Sequence, residues 1–336
     1  MYLIKSKQDS RSLELSRKVL SFLKKSRIGF SIAGGLSIPN EKSTLEDDIK
    51  FVLAIGDDSL ILETFRSLGE KKLPVLAVAS SQSFLAQCDS GNFEQCIRLL
   101  EKGRYTLQER SRLVAAYDGK ETPIALNDIG LFSSKSASLI RYTLSLGNEQ
   151  FMKDTADGLL VTTPTGSTGY SLSAGGPVIH DEPKIFSITP ISSMEKHGPI
   201  IVSDNTEVHL SGIQAQSAVI VIDGSVRIPL KGARLAIKKS PFPATFIKFS
   251  SDYHIEARLK QRASPVNIDK VKGLPPSAKL IHKILSYEGS LTQKEIIGNT
   301  YLPERTVRHA LELLLAKGLI VKQPYLNDAR QAVYSI

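Results

Sequence analysis

The sequence is poor in several residue types, and each shortage excludes a class of protein. Two cysteines, Cys88 and Cys96, are too few for a disulfide framework or for a zinc site of their own. The absence of tryptophan and the 7% share of aromatic residues argue against a surface on which nucleic-acid bases stack. No apolar run approaches the roughly 18 residues of a membrane span, and residues 1–7 lack the features of a signal peptide. These shortages predict a cytoplasmic protein with no membrane partner.

What remains is the composition of a globular protein. The chain has 336 residues, of which 41% are hydrophobic and 23% charged, and this length predicts two or three domains. Lysine and arginine number 43 against 34 acidic residues, which gives a formal net charge of +9. A charge of this size permits an anionic partner without requiring one.

The first part of the chain has the pattern of a parallel α/β sheet. Phe51–Gly56 and Leu73–Ala79 are apolar runs typical of buried strands, and Ser59–Leu68 between them has helical spacing. A strand, a helix and a strand in this order predict a right-handed crossover. Ligands of such sheets bind at the carboxyl ends of the strands, which makes Gly56–Ser59 a candidate site.

The rest of the chain divides into a β-rich region and a small terminal module. Short strand-like runs follow residue 114, and the last of them, Ala244–Phe249, alternates as a half-exposed strand does. The terminal module combines three predicted helices with a hairpin, as a winged helix-turn-helix does. We therefore predict an α/β domain over residues 1–113, a β-rich domain over 114–253, a linker over 254–275 and a winged-helix domain over 276–336.

The most informative segment is Asp157–Pro177, in which a strand leads into a loop of glycine, serine and threonine. Glycine lets backbone amides approach a ligand closely, and short hydroxyl side chains can bond a ribose or a phosphate. On residue chemistry alone, the segment is either a nucleotide-binding loop or an ordinary turn-rich connection.

This segment resembles the signature of the NAD kinase family, in which Asp-Gly opens a strand that leads into Thr-Pro-Thr-Gly-Ser-Thr-Ala-Tyr and Ser-Ala-Gly-Gly-Pro. The chain departs from it at Gly169, where the family has alanine. The resemblance covers about residues 2–261. It implies an α/β domain followed by a β-sandwich, with NAD or NADP bound between them, ATP and Mg²⁺ as further requirements of an active enzyme, and a homodimer or homotetramer.

The resemblance also assigns residues to the dinucleotide. Asn127 and Asp128 occupy the positions of the family's Asn-Glu pair, which holds the adenosine part of NAD. Asp157 matches a position that a neighbouring subunit often contributes. The other matched positions lie in the glycine-rich segment and are Thr168, Gly169, Tyr170 and Ser173. Asp223-Gly224 matches a later strand turn, and we interpret it as structural.

The phosphate loop departs further from the family pattern. Where the family has Gly-Gly-Asp-Gly-Thr, this chain has Ile55, Gly56, Asp57, Asp58 and Ser59. Asp57 matches the catalytic base, which takes a proton from the adenosine 2′-hydroxyl. Asp58 adds a negative charge near the expected triphosphate, at a cost of about 4 kcal/mol for a contact of about 4 Å in an effective dielectric near 20. A bound Mg²⁺ would reverse that effect.

This contrast between a retained dinucleotide site and an altered phosphate loop leads to two hypotheses. The first is a pyridine-nucleotide-responsive, DNA-binding transcriptional regulator with weak or lost kinase activity. The second is an active ATP-dependent NAD kinase with an accessory winged-helix domain.

The first hypothesis needs residues that contact double-stranded DNA. The candidates lie on the third terminal helix and in the wing, and they are Arg305, Thr306, Arg308, His309 and Arg330. Winged helices also bind other proteins, and this alternative stays open. No histidine and carboxylate cluster has metal-ligand spacing, so no structural metal is predicted.

Overall fold

The structure is a computed structural model that forms two compact units, Met1–Tyr253 and His254–Ile336. It describes residues 1–33, 49–135, 138–249, 274–288, 291–300, 302–324 and 332–335. Among the helices in these ranges, none combines the length and the apolar character needed to cross a bilayer.

The first unit begins with a seven-stranded sheet. Its strands are β1 (Tyr2–Ser6), β2 (Phe30–Ile32), β3 (Phe51–Gly56), β4 (Val75–Ala79), β5 (Cys88–Asp89), β6 (Thr106–Arg110) and β19 (Ala244–Lys248). The order is β2-β1-β3-β4-β19-β6, and β5 pairs with β4. The pairs among β1 to β5 are parallel, as the sequence predicts, whereas β6 runs antiparallel to β19.

Three helices cover the two faces of this sheet: α1 (Ser10–Lys25), α2 (Asp58–Leu68) and α3 (Phe93–Glu101). Leu15 and Val19 of α1 pack with Ile97 of α3 in one hydrophobic cluster, while Ile61 and Phe65 of α2 belong to another. Because apolar side chains recur at helical spacing on one stripe of each helix, each buries that stripe against the sheet. The carboxyl ends of β1, β3 and β4 remain together at one edge.

The β-rich part of the first unit consists of two antiparallel six-stranded sheets. The first has the order β11 (Glu149–Ala156), β10 (Ile140–Leu146), β15 (Val208–Gln214), β18 (Arg234–Lys239), β7 (Leu113–Tyr117) and β8 (Lys120–Glu121). The second has the order β14 (Ile200–Ser203), β13 (Ile185–Ile191), β12 (Gly158–Thr162), β9 (Asp128–Ser133), β16 (Ala218–Ile222) and β17 (Val226–Leu230). Alternate residues such as Ile129, Leu131 and Leu144 fill a shared core.

One strand lies in a different sheet from the one predicted. The sequence places residues 244–249 in the β-rich domain as a half-exposed strand, but β19 lies in the first sheet, between β4 and β6. Thr245, Phe246 and Ile247 are all buried. Lys248 stays partly exposed at the end of the strand, but the rest of β19 is buried because the chain returns to the first sheet after the β-sandwich.

The second unit combines three helices with a small antiparallel sheet. In chain order they are α5 (Pro276–Glu288), β20 (Leu291–Thr292), α6 (Gln293–Thr300), α7 (Glu304–Ala316), β21 (Val321–Pro324) and β22 (Ala332–Ser335); α4 (Tyr170–Ser173) is in the first unit. A capping box, for which Thr292-Gln-Lys-Glu295 has the sequence pattern, begins α6: Glu295 N–H donates to Thr292 Oγ1 at 3.3 Å and Thr292 N–H donates back to Glu295 Oε2 at 2.7 Å. Val307 and Leu314 lie in the core, as their spacing predicts.

Candidate functional site

Asp57 lies where β3 ends and α2 begins. As the N-cap of α2, its carboxylate accepts a hydrogen bond from the Leu60 amide at 3.2 Å and one from Ser59 Oγ at 2.6 Å. Lys7, the residue after β1, donates from Nζ to the other carboxylate oxygen. Three donors therefore fix the Asp57 carboxylate at the carboxyl edge of the sheet.

The same donors set the charge state of Asp57. Partial burial raises the pKa of its carboxyl group, but the hydrogen bonds from Lys7, Ser59 and the Leu60 amide outweigh burial and place the pKa below its ordinary value. Asp57 is consequently ionised at neutral pH and can accept a proton.

Gly56 is required by close packing at this edge. A Cβ atom on it would lie 2.8 Å from a methyl group of Leu60 and 3.1 Å from Cβ of Lys7. The absence of a side chain lets α2 start directly beneath the end of β1.

The side chains expected to crowd the phosphate loop lie elsewhere. Ile55 is fully buried in the cluster that contains α1 and α3. The Asp58 carboxylate accepts hydrogen bonds from the Phe84 amide at 3.1 Å, from the Leu85 amide at 3.2 Å and from Ser83 Oγ. Asp58 is thus turned toward the segment after β4, where these donors interact with its charge, and its effect on a bound triphosphate stays a prediction.

The segment that leads into β9, Leu126–Asn127, is held by the turn Asp223-Gly224, which its sequence predicts to be structural. Asp223 Oδ1 accepts hydrogen bonds from the amides of Leu126 at 3.0 Å and Asn127 at 2.8 Å. Its second oxygen pairs with Arg66 of α2 at 2.8 Å. Asp223 has a φ of +47° and Gly224 a φ of +67°, so the turn itself directs this carboxylate inward. The ion pair connects α2 with the turn between β16 and β17, and the same carboxylate holds the segment that leads into β9.

The glycine-rich loop packs directly on Asn127. The Thr163 amide donates to the Asn127 carbonyl at 2.8 Å, and a Cβ on Gly166 would lie 2.3 Å from that carbonyl oxygen. Asn127 Oδ1 is buried and has no hydrogen-bond partner. A buried amide oxygen without a partner is costly, so this atom is suited to a donor group on a ligand.

Asp128 lies beside these residues in an environment that favours its neutral form. Burial raises the pKa of its carboxyl group to about 7, and the negative charge of Asp223 contributes to the same direction. Its side chain is shorter than the glutamate of the family pattern. It can either donate or accept a hydrogen bond near neutral pH.

The remaining predicted dinucleotide residues differ in exposure. Thr168 is buried in the 3₁₀ turn Thr165–Thr168, whereas Asp157, Tyr170 and Ser173 are exposed. A Cβ on Gly169 would lie 3.8 Å from Asn127 Nδ2, which places this residue next to the unpartnered amide. The loop therefore assembles a site around Asn127, while Asp157 faces solvent.

Three residues that contribute to this arrangement are absent from the sequence-based prediction. Lys7 pairs with Asp57, Arg66 pairs with Asp223, and Phe132 stacks on Tyr170. Lys7 could have been found from its place after a predicted strand, since strand ends share one sheet edge. Nothing in the sequence pattern singles out Arg66 or Phe132.

In the second unit, Arg305, Arg308 and His309 are exposed on α7 and Thr306 is partly exposed. Arg308 pairs with Glu304 one turn earlier, at 2.8 Å. Arg330 lies outside the described residues. A DNA contact by these residues stays a prediction.

Comparisons with known proteins identify relatives of the first unit. The model of a family described as the ATP-NAD kinase C-terminal domain matches residues 126–249. An NAD kinase of Methanopyrus kandleri is 33% identical over 217 residues, which are 64% of this chain and 78% of that protein. An NAD kinase of Methanothermobacter thermautotrophicus is 27% identical over 79% of this chain and 96% of that protein.

Two solved structures, of an NAD kinase and of an NADH kinase, have a fold similar to that of this chain. An NAD kinase from Archaeoglobus fulgidus in complex with ATP has a TM-score of 0.65 and 24% identity, over 78% of this chain and 98% of that one. Yeast NADH kinase complexed with NADH has a TM-score of 0.67 and 20% identity, over 79% of this chain and 87% of that one. At these identities the likeness shows the fold, an α/β domain joined to a β-rich domain.

These findings overturn the hypothesis of a DNA-binding regulator with weak or lost kinase activity. The curated relatives are named NAD kinase, and nothing in either comparison points to a transcriptional regulator. The hypothesis depended on an eroded phosphate loop. The alternative of an active kinase with an accessory domain fits the relatives better.

Proposed function

Because this chain belongs to the NAD kinase family, we propose that it is an active kinase that transfers the γ-phosphoryl group of ATP to NAD. The observation that carries the proposal is the ionised Asp57 carboxylate, held by three donors at the carboxyl edge of the sheet. Ligands of open α/β sheets bind at this edge.

In the proposed reaction, Asp57 is the general base. It takes the proton from the 2′-hydroxyl of the adenosine ribose, the freed oxygen bonds to the γ-phosphorus, and ADP leaves. Phosphoryl transfer depends mainly on positioning and on stabilisation of charge, so a fixed carboxylate with a clear loop beside it suits the task.

The dinucleotide would be held by the segment around Asn127. The buried, unpartnered Asn127 Oδ1 is matched to a donor on the nucleotide, and Asp128 can bond a ribose hydroxyl. Thr168, Gly169, Tyr170 and Ser173 would complete the binding site from the glycine-rich loop. Asp157, which is exposed, would act across the interface of a homodimer or homotetramer.

Mg²⁺ would enter with the ATP phosphates. In the described ranges no group of three or more histidine, cysteine or acidic side chains is placed to hold a metal ion. Mg²⁺ typically keeps several waters and binds substrate phosphates, and it would supply charge neutralisation on the transferred group.

The decisive experiment measures NADP formation with ATP, Mg²⁺ and NAD in an assay coupled to an NADP-specific dehydrogenase. We expect activity in the wild type and a loss of at least about 100-fold in kcat for Asp57→Asn, the usual range for loss of a general base. Asp118→Asn, in the turn between β7 and β8, is the matched control. A wild-type protein that binds NAD and ATP but forms no NADP would overturn the proposal. A parallel assay with NADH defines the acceptor.

For the second unit we propose a winged helix-turn-helix fold. The order of helix, short strand, two helices and two strands supports it, as does the sheet order β20-β22-β21. An experimental structure of the full chain tests it: a sheet packed against three helices is expected, and any other arrangement of these elements contradicts it.

A further inference from the structure

Phe132 lies on the outer face of the β9 sheet, over two glycines. Ile129 and Leu131 of the same strand point into the core, so Phe132 and Gly130 share the opposite face. A Cβ on Gly130 would lie 2.3 Å from the Phe132 ring, and one on Gly158 of the adjacent strand would lie 2.5 Å from it. The ring therefore lies down over the sheet in space that only glycine at both positions leaves open.

Tyr170 lies against this ring. The two ring centroids are 6.0 Å apart with an angle of 27° between the planes, which is a stacked geometry. Tyr170 is nevertheless 48% exposed, so much of its surface is open to a ligand. The order from the sheet outward is glycine, Phe132 and then the half-exposed Tyr170.

This stack shares its sheet face with a predicted dinucleotide residue. Asp128, Gly130 and Phe132 alternate along β9, and Thr162, Leu160 and Gly158 are their partners on β12. Asp128 and Phe132 are four residues apart, or about 13 Å along the strand. That spacing suits a dinucleotide with the ribose of one nucleotide near Asp128 and the flat ring of the other near Tyr170.

We propose that Phe132 is a positioning residue, which holds the Tyr170 ring as a platform for a planar heteroaromatic ring of the bound dinucleotide. The inference rests on the proposed function, because it takes NAD as the ligand. Stacking on an aromatic side chain contributes substantially to base binding, and it requires the platform to keep a fixed plane. Phe132 keeps the Tyr170 ring in this plane, because its own ring is fixed over Gly130 and Gly158.

The absence of tryptophan from the chain gives a direct test. Tyr170→Trp introduces a single indole whose emission should be quenched when a base stacks on it. NAD is titrated first, and then AMP and nicotinamide mononucleotide separately, so that the quenching ligand identifies the stacked ring. Adding Phe132→Leu in this background should raise the apparent Kd for NAD about 3- to 10-fold and reduce the quench.

Steady-state kinetics of variants that retain Tyr170 distinguish a positioning role of Phe132 from a role in folding. Phe132→Leu should raise KM for NAD about 3- to 10-fold with little change in kcat, and Phe132→Tyr should restore KM because it keeps a flat ring. Phe151→Leu, at an exposed phenylalanine of β11, is the control and should leave both constants unchanged.

The outcomes for the two proposals are distinguishable. If NAD quenches the indole and Phe132→Leu weakens that quench but no NADP forms in the wild type, the kinase proposal fails and the platform stands. If the wild type is an active kinase but Phe132→Leu leaves KM and the quench unchanged, the platform is refuted. A fall in thermal stability of Phe132→Leu with unchanged KM also refutes it, because it assigns the ring a structural role alone.

Discussion

Lys7 and Asp57 are 50 residues apart in the chain, yet their side chains meet where β1 and β3 end side by side. The ammonium group is one of the donors that keep the pKa of Asp57 low against the effect of burial. A proton acceptor has to be ionised before the reaction, so Lys7 extends the pH range in which Asp57 can act.

Replacement of Lys7 by methionine should therefore raise the pKa of Asp57. Because the ionised form is the active one, the acid limb of the pH profile of kcat/KM should move to higher pH. On the acid limb we expect a fall of about tenfold at a given pH, equivalent to the roughly 1.5 kcal/mol of a hydrogen bond to a charged group, whereas at neutral pH Asp57 is ionised in both proteins. Lys18→Met is the control, since Lys18 pairs with Glu14 on an exposed helix face. An unmoved acid limb in Lys7→Met would contradict this role.

Asp128 predicts a different pH dependence, in stability. Its folded-state pKa of about 7 lies above the ordinary value of a carboxyl group, so the folded protein retains a proton that the unfolded chain releases. Stability from this group is present at acid pH and is lost as pH rises from about 4 to 7. The cause is burial, together with the negative charge of Asp223.

Asp128→Asn keeps the shape of the side chain and removes this ionisation. At pH 8 it should raise the free energy of unfolding by about 2 kcal/mol, or the midpoint of thermal unfolding by roughly 4–8 °C, with no gain at pH 4. Thermal unfolding of both proteins across this pH range measures it. An equal difference at both pH values would show that folding does not raise the pKa of Asp128.

Replacement of Asp58 tests whether its charge opposes ATP or its carboxylate stabilises the fold. If its charge opposed ATP, Asp58→Ala would lower KM for ATP. Since its carboxylate instead holds the amides of Phe84 and Leu85, we expect no such gain and a loss of about 1–3 kcal/mol in stability, because these donors lose their partner. Chemical denaturation and ATP kinetics check the two effects separately, and a lower KM for ATP would restore the repulsion account.

The glycine-rich loop after β12 and the start of β9 form one assembly at the level of secondary-structure elements. Their contact is backbone to backbone at Asn127 and Gly166, which leaves no room for a side chain. The loop can then present Asn127 Oδ1 and its own groups to one ligand.

Gly166→Ala should break this assembly. The added methyl would lie 2.3 Å from the Asn127 carbonyl oxygen, and relief of such overpacking typically costs about 1–3 kcal/mol, so NAD affinity should fall roughly 5- to 150-fold. Gly198→Ala is the matched control, because no atom lies within 4 Å of its added Cβ. Calorimetric titration with NAD measures both variants, and an unchanged affinity in Gly166→Ala would exclude the loop from the site.

The whole molecule contains two units, each with a hydrophobic core of its own. The predicted dinucleotide and phosphate residues all belong to the first unit, whereas Val307, Ala310, Leu311 and Leu314 form part of the core of the second. A loss of core packing in the second unit therefore tests whether the proposed activity requires it.

Leu314→Ala should destabilise the second unit by about 2–5 kcal/mol, since it leaves a cavity at a fully buried position. We expect kinase activity to remain, because none of the site residues is altered. Leu280→Ala, at an exposed leucine of α5, should cost less than about 0.5 kcal/mol. Unfolding followed by circular dichroism together with the coupled assay checks both, and loss of activity in Leu314→Ala would show that catalysis depends on the second unit.

The sequence by itself determined the alternation of strands and helices around Gly56, the glycine-rich segment after Gly158 and the capping box at Thr292. These features depend on neighbours within a few residues, because periodicity, glycine and capping chemistry are local. The order of the residues also predicted which groups would lie at the carboxyl edge of the sheet.

Only the tertiary structure decided how those groups are used. The direction of Asp58 depends on a segment 25 to 27 residues away, the pairing of Lys7 on a strand 50 residues away, and the place of β19 on the return of the chain after the sandwich. The position of the Phe132 ring depends on Gly158 of another strand. The partner of a side chain is determined by the donors and the free space that folding places next to it. These donors and spaces come from parts of the chain that no local sequence pattern connects.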